Sequence, residues 1–164
     1  MSEQNEAISR PYVSVSANQQ LGINIFVLRI INTGKTPAKK LRLSFDKDYF
    51  KYAEKKDENN LSKFVAFQEE IESFPPGAEM HFDLAQGFKI FGTEQEKQKS
   101  PALFTITAKY SYGNKTVTEK NTIDLRPYFM SNCLDDPYVY QIKQLRESLE
   151  KTGDKINKTL AQKA

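Results

Sequence analysis

One cysteine and one histidine bound the chemistry open to this 164-residue chain. Cys133 and His81 would make a nucleophile and a base. But His81 alternates with Met80 and Phe82, so it faces outward from a strand, and Cys133 falls in a connecting segment. One imidazole leaves no partner for a His-based metal centre, and one thiol builds neither an internal disulfide nor a zinc ribbon. Serine hydrolysis would also depend on His81, and no Gly-x-Ser-x-Gly elbow occurs. Gly34-Lys35-Thr36 follows an apolar stretch, as a phosphate loop does. The glycine required five residues earlier is Arg29, and Pro37 opens a strand where that motif needs a helix. Carboxylates cluster at Asp46 with Asp48, at Glu69, Glu70 and Glu72, and at Asp135 with Asp136, without the ligand spacing of a calcium loop. They read as solvated turns and a helix cap. The expectation is a protein that is not an enzyme and needs no cofactor and no metal.

Aromatic side chains offer another route to ligands. Tyr49, Phe50 and Tyr52 lie among Lys51, Lys55 and Lys56, a mixture suited to stacking on single-stranded nucleic acid or to closing the open end of a sandwich. The formal charge is only +3, from 24 basic and 21 acidic residues, which gives no strong nucleic-acid signal. Lys35, Lys39, Lys40 and Arg42 flank one turn, and Arg42 alternates with Leu41 and Leu43 as the wet face of a strand does. Tyr49, Phe50, Tyr52, Tyr110 and Tyr112 are the candidate stacking platforms for a small ligand or carbohydrate.

Strands must position these residues. From 11 to 125, apolar residues come in short or alternating runs parted by turn residues, at the spacing of a β-sandwich. Seven strands are predicted, starting near Pro11, Gly22, Lys40, Gln68, Glu79, Leu103 and Lys115. The second is apolar on both parities, with Phe26, Leu28 and Ile30 on one and Ile23, Ile25, Val27 and Ile31 on the other. That predicts a central strand whose second face is covered at one end. Gly34 is read as supplying unusual torsions to the turn that follows, and Asn32 as bonding its own backbone. Residues 46–58 hold a helical turn capped by Asp46 or Asp48, or form a long excursion, and 61–67 fit neither template. Residues 92–100 read as a surface loop, and Gly113-Asn114 as the tight turn of the last hairpin.

Beyond Arg126-Pro127 the period changes. Asp135 or Asp136 caps a helix with Pro137 in its first turn. Val139, Ile142, Leu145, Leu149, Ile156 and Leu160 then form a narrow apolar stripe. Gly153 weakens it by roughly 1 kcal/mol relative to alanine, and Thr152 and Thr159 interrupt the heptad. The stripe packs on its own sandwich, pairs with another copy or meets a different protein; the spacing leaves all three open. Ile142, Leu145, Leu149 and Ile156 are the candidate partner-binding residues. The predicted organisation is a disordered tail over 1–9, a sandwich over 10–128, a linker over 129–136 and a helix over 137–164.

Three stretches carry a resemblance: Arg10-Pro11-Tyr12-Val13, Ile30-Ile31-Asn32-Thr33-Gly34-Lys35-Thr36-Pro37-Ala38, and Pro75-Pro76-Gly77-Ala78-Glu79. Together they resemble the immunoglobulin-like modules of uncharacterised bacterial proteins and adhesion-related repeats. There, an Asn-x-Gly turn with a nearby Ala links the second and third strands, and a Pro-Gly-Glu-type turn precedes the fifth. The resemblance spans about 10–126 and implies an immunoglobulin-like module; with the seven strands and the terminal stripe read from the pattern, the expected fold is mainly β, a seven-stranded immunoglobulin-like antiparallel β-sandwich with a C-terminal α-helix. The chain departs from antibody domains in having no Cys pair and no Trp, and in placing Tyr110 and Tyr112 at the end of their strand, where a tyrosine corner needs one near the start. Many such bacterial proteins carry a membrane anchor before the module. Here residues 1–10 show no signal-peptide pattern, and the apolar run 23–31, broken by Asn24 and Arg29, is short of the roughly 20 residues a span needs. A cytoplasmic location is expected. The functional expectation is a non-enzymatic protein-interaction module whose helix docks on a partner or on another copy, and the alternative is a sandwich binding small ligands or carbohydrate through exposed tyrosines.

Overall fold

A computed structural model of the chain describes residues 10–20, 24–92, 99–131 and 137–161. The predicted tail over 1–9 lies outside them, as do Cys133, Asp135, Asp136 and most of the predicted loop and linker. Seven antiparallel strands are described: β1 (Val13–Gln19), β2 (Ile25–Asn32), β3 (Ala38–Phe45), β4 (Ile71–Phe74), β5 (Glu79–Gln86), β6 (Leu103–Tyr112) and β7 (Lys115–Asp124). They form a three-stranded sheet, β1-β2-β5, and a four-stranded sheet, β4-β3-β6-β7. The helices are α1 (Val65–Gln68), α2 (Gly87–Phe91) and α3 (Pro137–Ala161). The sandwich and the segment bearing α3 are separate compact units.

Alternation fills the sandwich. Val13, Val15 and Ala17 of β1, Phe26, Leu28 and Ile30 of β2, Leu41 and Leu43 of β3, and Phe104, Ile106, Ala108 and Tyr110 of β6 are all buried. Each large apolar side chain among them contributes about 1.5–3 kcal/mol by leaving water. β2 is central, as its two-sided apolar character predicts, and Ile25, Val27 and Ile31 on its second face are half-buried. β3 begins at Ala38, which pairs with Phe74 of β4, and Lys40 within it takes a positive φ of 53°. The register against β6 shifts between Lys39 and Arg42, so Ala38 and Leu41 both face inward.

Three expectations are corrected. Asp46 and Asp48 cap nothing: the 3-10 turn at Lys51–Ala53 starts from Phe50, while Asp46 accepts from the Thr105 amide at 3.0 Å. Residues 61–68 form a 3-10 turn and then α1, so β4 starts at Ile71 instead of Gln68. Gly34 has no positive φ. It is needed because a Cβ there would lie 2.5 Å from Pro11 Cα and 2.6 Å from the Tyr12 amide nitrogen, closer than backbone atoms tolerate.

The close approach at Gly34 belongs to a knot around Asn32, which is fully buried. Its Oδ1 accepts from the Tyr12 amide (3.1 Å) and, as an Asx turn, from the Gly34 amide (3.0 Å). Its Nδ2 donates to the carbonyls of Thr36 and Phe74, both at 2.9 Å. Its backbone accepts from the Gly77 amide (2.9 Å) and donates to the Ala78 carbonyl (3.1 Å). All three stretches that carried the resemblance therefore meet on one asparagine. Their residue types are explained by closing the backbone hydrogen bonds of a buried corner.

Candidate functional site

The five candidate stacking residues separate into interior and rim. Tyr49 is fully buried, its ring centroid 4.9 Å from that of Phe104, and its hydroxyl faces Ser100. Burial raises its pKa, since the phenolate would have to form inside the core. Tyr110 is buried as well and donates to the Pro11 carbonyl at 3.1 Å. Burial, and then Glu119 beside it, raise its pKa. No ligand stacks on either ring without opening the core. Phe50, Tyr52 and Tyr112 are half-buried.

Tyr52 is held in a tense turn. It and Ala53 adopt positive φ of 57° and 59°, a conformation that costs non-glycine residues about 1–3 kcal/mol each. The turn aims the Tyr52 hydroxyl at Asp83 of β5, where it donates at 2.6 Å. The bond to Asp83 is the first cause of its raised pKa, ahead of burial. Lys51 Nζ sits 5.1 Å from the centre of the ring. Asp83 shares a recess of about 400 Å³ on the outer face of β1-β2-β5 with Asn18, Val27, Arg29 and His81. Arg29 is paired with Glu79 at 2.6 Å, and His81 Nε2 is 4.0 Å from the same carboxylate. His81 thus points outward, as its alternation predicts. Tyr52 with Asp83 was not legible in the sequence because the two are 31 residues apart and nothing periodic links them.

The carboxylates have structural work. Asp48 accepts from Asn60 (3.0 Å) and Ser62 (2.9 Å), which lower its pKa. Asp124 is gripped by Arg126 through Nε (2.8 Å) and a terminal nitrogen (2.7 Å), and its pKa is lowered too. Among the described residues, no group of three or more His, Cys, Asp or Glu is arranged to hold a metal ion. The Gly34-Lys35-Thr36 segment is occupied by the Asn32 corner.

Helix α3 carries the remaining candidates. Its 25 residues rise about 37 Å. An Arg146–Glu150 pair at 2.9 Å supports it from the side. Ile142, Leu145 and Leu149 are 65%, 61% and 64% exposed. They share one face by their three-four spacing, and the Ile156 side chain lies outside the described residues. No helix among the described residues is long and apolar enough to cross a membrane.

A family model described as "Domain of unknown function (DUF8453)" matches residues 1–129. The chain belongs to that family. The DUF8453 match takes in the whole sandwich and the Asn32 corner and ends before α3. Neither the curated proteins nor the solved structures give a match to the chain.

Proposed function

We propose that this DUF8453 protein is a non-catalytic, immunoglobulin-like interaction module whose C-terminal helix pairs with the helix of a second copy. The observation that carries the reading is the exposed apolar stripe of α3. In heptad terms Ile142, Leu149 and Ile156 take the a positions and Leu145 a d position, a β-branched and leucine pattern that suits two parallel strands. A stripe this narrow fits the seam of a two-helix coil better than a broad groove. The flanking pairs of a parallel dimer would be Gln141 with Arg146, Ser148 with Gly153, and Lys155 with Leu160, so no like charges oppose each other. Thr152 at a d position weakens the seam, which makes the pairing reversible.

Light scattering on the full chain across a concentration series tests the reading. A dimer mass at high concentration, reverting to a monomer in the Leu145→Glu, Leu149→Glu double variant, is the expected result. A monomer at every concentration would falsify it.

A further inference from the structure

β4 and β5 are edge strands of different sheets and follow one another through the turn at 75–78. A groove of about 640 Å³ lies beside them. Its apolar wall is Val65 and Ala66 of α1, Ile71 of β4, and Met80 and Phe82 of β5. Phe82 packs against Phe64 and Phe67, with centroids 6.2 and 5.1 Å away, so that wall is anchored in the core. Val65 is 69% exposed and is held that way, because its neighbour Phe67 is buried and its amide donates to the Phe64 carbonyl at 2.8 Å. Turning Val65 inward would withdraw Phe67.

The rim is acidic. Glu69 and Glu70 line it together with His81, Glu72 is exposed at the next position of β4 after Ile71, and no Lys or Arg lines the groove among the described residues. Glu70 is paired with Arg42 at 2.9 Å, whereas Glu69 and Glu72 have no ion-pair partner among the described residues. β4 bonds to β3 on one side, and its other edge adjoins no strand of its sheet among the described residues.

From this juxtaposition we propose that the groove binds an extended segment of a partner protein in which apolar side chains alternate with lysine or arginine. A strand added to the free edge of β4 satisfies its unpaired backbone groups. The four residues of β4 span roughly 13 Å, enough to seat two apolar side chains on one face of the added strand. Those side chains meet Val65, Met80 and Phe82, while the alternate cations meet Glu69 and Glu72. The carboxylates repel nucleic acid and anionic lipid, and a helical partner leaves the β4 edge unpaired. The inference stands apart from the pairing of α3.

A labelled, end-blocked heptapeptide alternating valine and lysine is the probe, with a counterpart carrying glutamate in place of lysine. Binding to the full chain is followed by fluorescence anisotropy and by amide shifts. The basic peptide is expected to saturate and to shift amides at 65–72 and 79–82. Val65→Asn, and separately Glu69→Gln with Glu72→Gln, should each weaken it by roughly fivefold or more, with melting curves showing that the variants remain folded. Absence of saturable binding, equal affinity for the acidic peptide, or unchanged affinity in both variants would overturn the proposal. So would amide shifts confined to the β7 edge or to α3. Self-association that Val65→Asn abolishes while Leu145→Glu with Leu149→Glu leaves it intact would make a second copy the occupant and overturn the peptide.

Discussion

At the scale of single residues, buried polar groups set the corner and one edge of the sandwich. Asn32 uses every side-chain hydrogen-bonding direction that the turn and two neighbouring segments need. Asn32→Asp keeps the acceptor but turns a carboxylate toward the Thr36 and Phe74 carbonyls. It should destabilise the fold by about 3–5 kcal/mol, since it buries an uncompensated charge. Asn32→Ala, which only leaves partners unsatisfied, should cost about 2–4 kcal/mol. Chemical denaturation measures both, and a loss under 1 kcal/mol in either contradicts the role given to the knot. Glu119 presents the opposite case. It faces inward on β7, and its Oε2 is buried without a hydrogen-bond partner. Burial raises its pKa from the usual 4.5, against the pull of Tyr110, Arg10 and the Val13 amide. The folded chain therefore holds that proton more tightly than the unfolded chain. Stability from this group is full below about pH 4.5 and is lost as pH rises through the raised folded value. Glu119→Gln should flatten that part of the stability profile and raise the melting temperature at pH 7 relative to the parent. An unchanged profile would remove Glu119 as its source.

The elements show how much a linear pattern could reveal. All seven strands were legible, most of them because one buried face imposes a two-residue period that survives without any tertiary information, and β4, whose four residues show no such period, through the Pro75-Pro76-Gly77 turn that ends it. Their ends were less so. β3 starts two residues early, where Ala38 pairs with Phe74, and β4 starts three residues late because Phe64 and Phe67 pack inward from a single helical turn too short to show a period. For the same reason α2, five residues long, left no periodic signal. Of the candidate stacking residues, Tyr49 and Tyr110 sit inside the core, Tyr110 with its hydroxyl bonded to the Pro11 carbonyl and Tyr49 against the rings of Phe45 and Phe104, and the sequence shows neither arrangement. The inward-facing Glu119 has an element-level meaning as well. β7 is a ten-residue edge strand, and an inward charge with outward Lys120 discourages another chain from adding to it. β5 is covered differently, by the Tyr52 turn bonded to Asp83. The short β4, beside exposed Val65, carries neither device. The stripe on α3 was legible from spacing, and Gly153 is its weak point: a Cβ there meets nothing within 4 Å. Gly153→Ala should stabilise the helix by about 0.5–1 kcal/mol. If α3 pairs with a second copy, the variant should shift the monomer–dimer balance toward dimer by severalfold in sedimentation equilibrium, whereas a helix gain by circular dichroism without that shift separates α3 from assembly.

On the scale of the whole molecule, the question is which parts of the chain are needed to close a core. The buried hydrophobic residues among those described run from Val13 to Leu125, both sheets are complete within those limits, and the Asn32 corner adds only Pro11 and Tyr12 just before them. The absence of tryptophan and of a cysteine pair leaves that core to aliphatic side chains and to rings such as Phe26, Tyr49, Phe104 and Tyr110. An interior of this composition, filling a domain of some 115 residues, is large enough to fold unaided. A chain ending at Ser131 should therefore show a single cooperative unfolding transition and keep the near-ultraviolet circular dichroism of packed tyrosines, while losing the far-ultraviolet helical signal of α3. Tyrosine is the right reporter because two of its rings, Tyr49 and Tyr110, are immobilised in the interior. Retained secondary structure with a flat near-ultraviolet spectrum and a broad transition would show that the sandwich does not close by itself. A cooperative, tightly packed product divides the molecule into a self-sufficient sandwich and a helix whose exposed stripe is free to act in assembly.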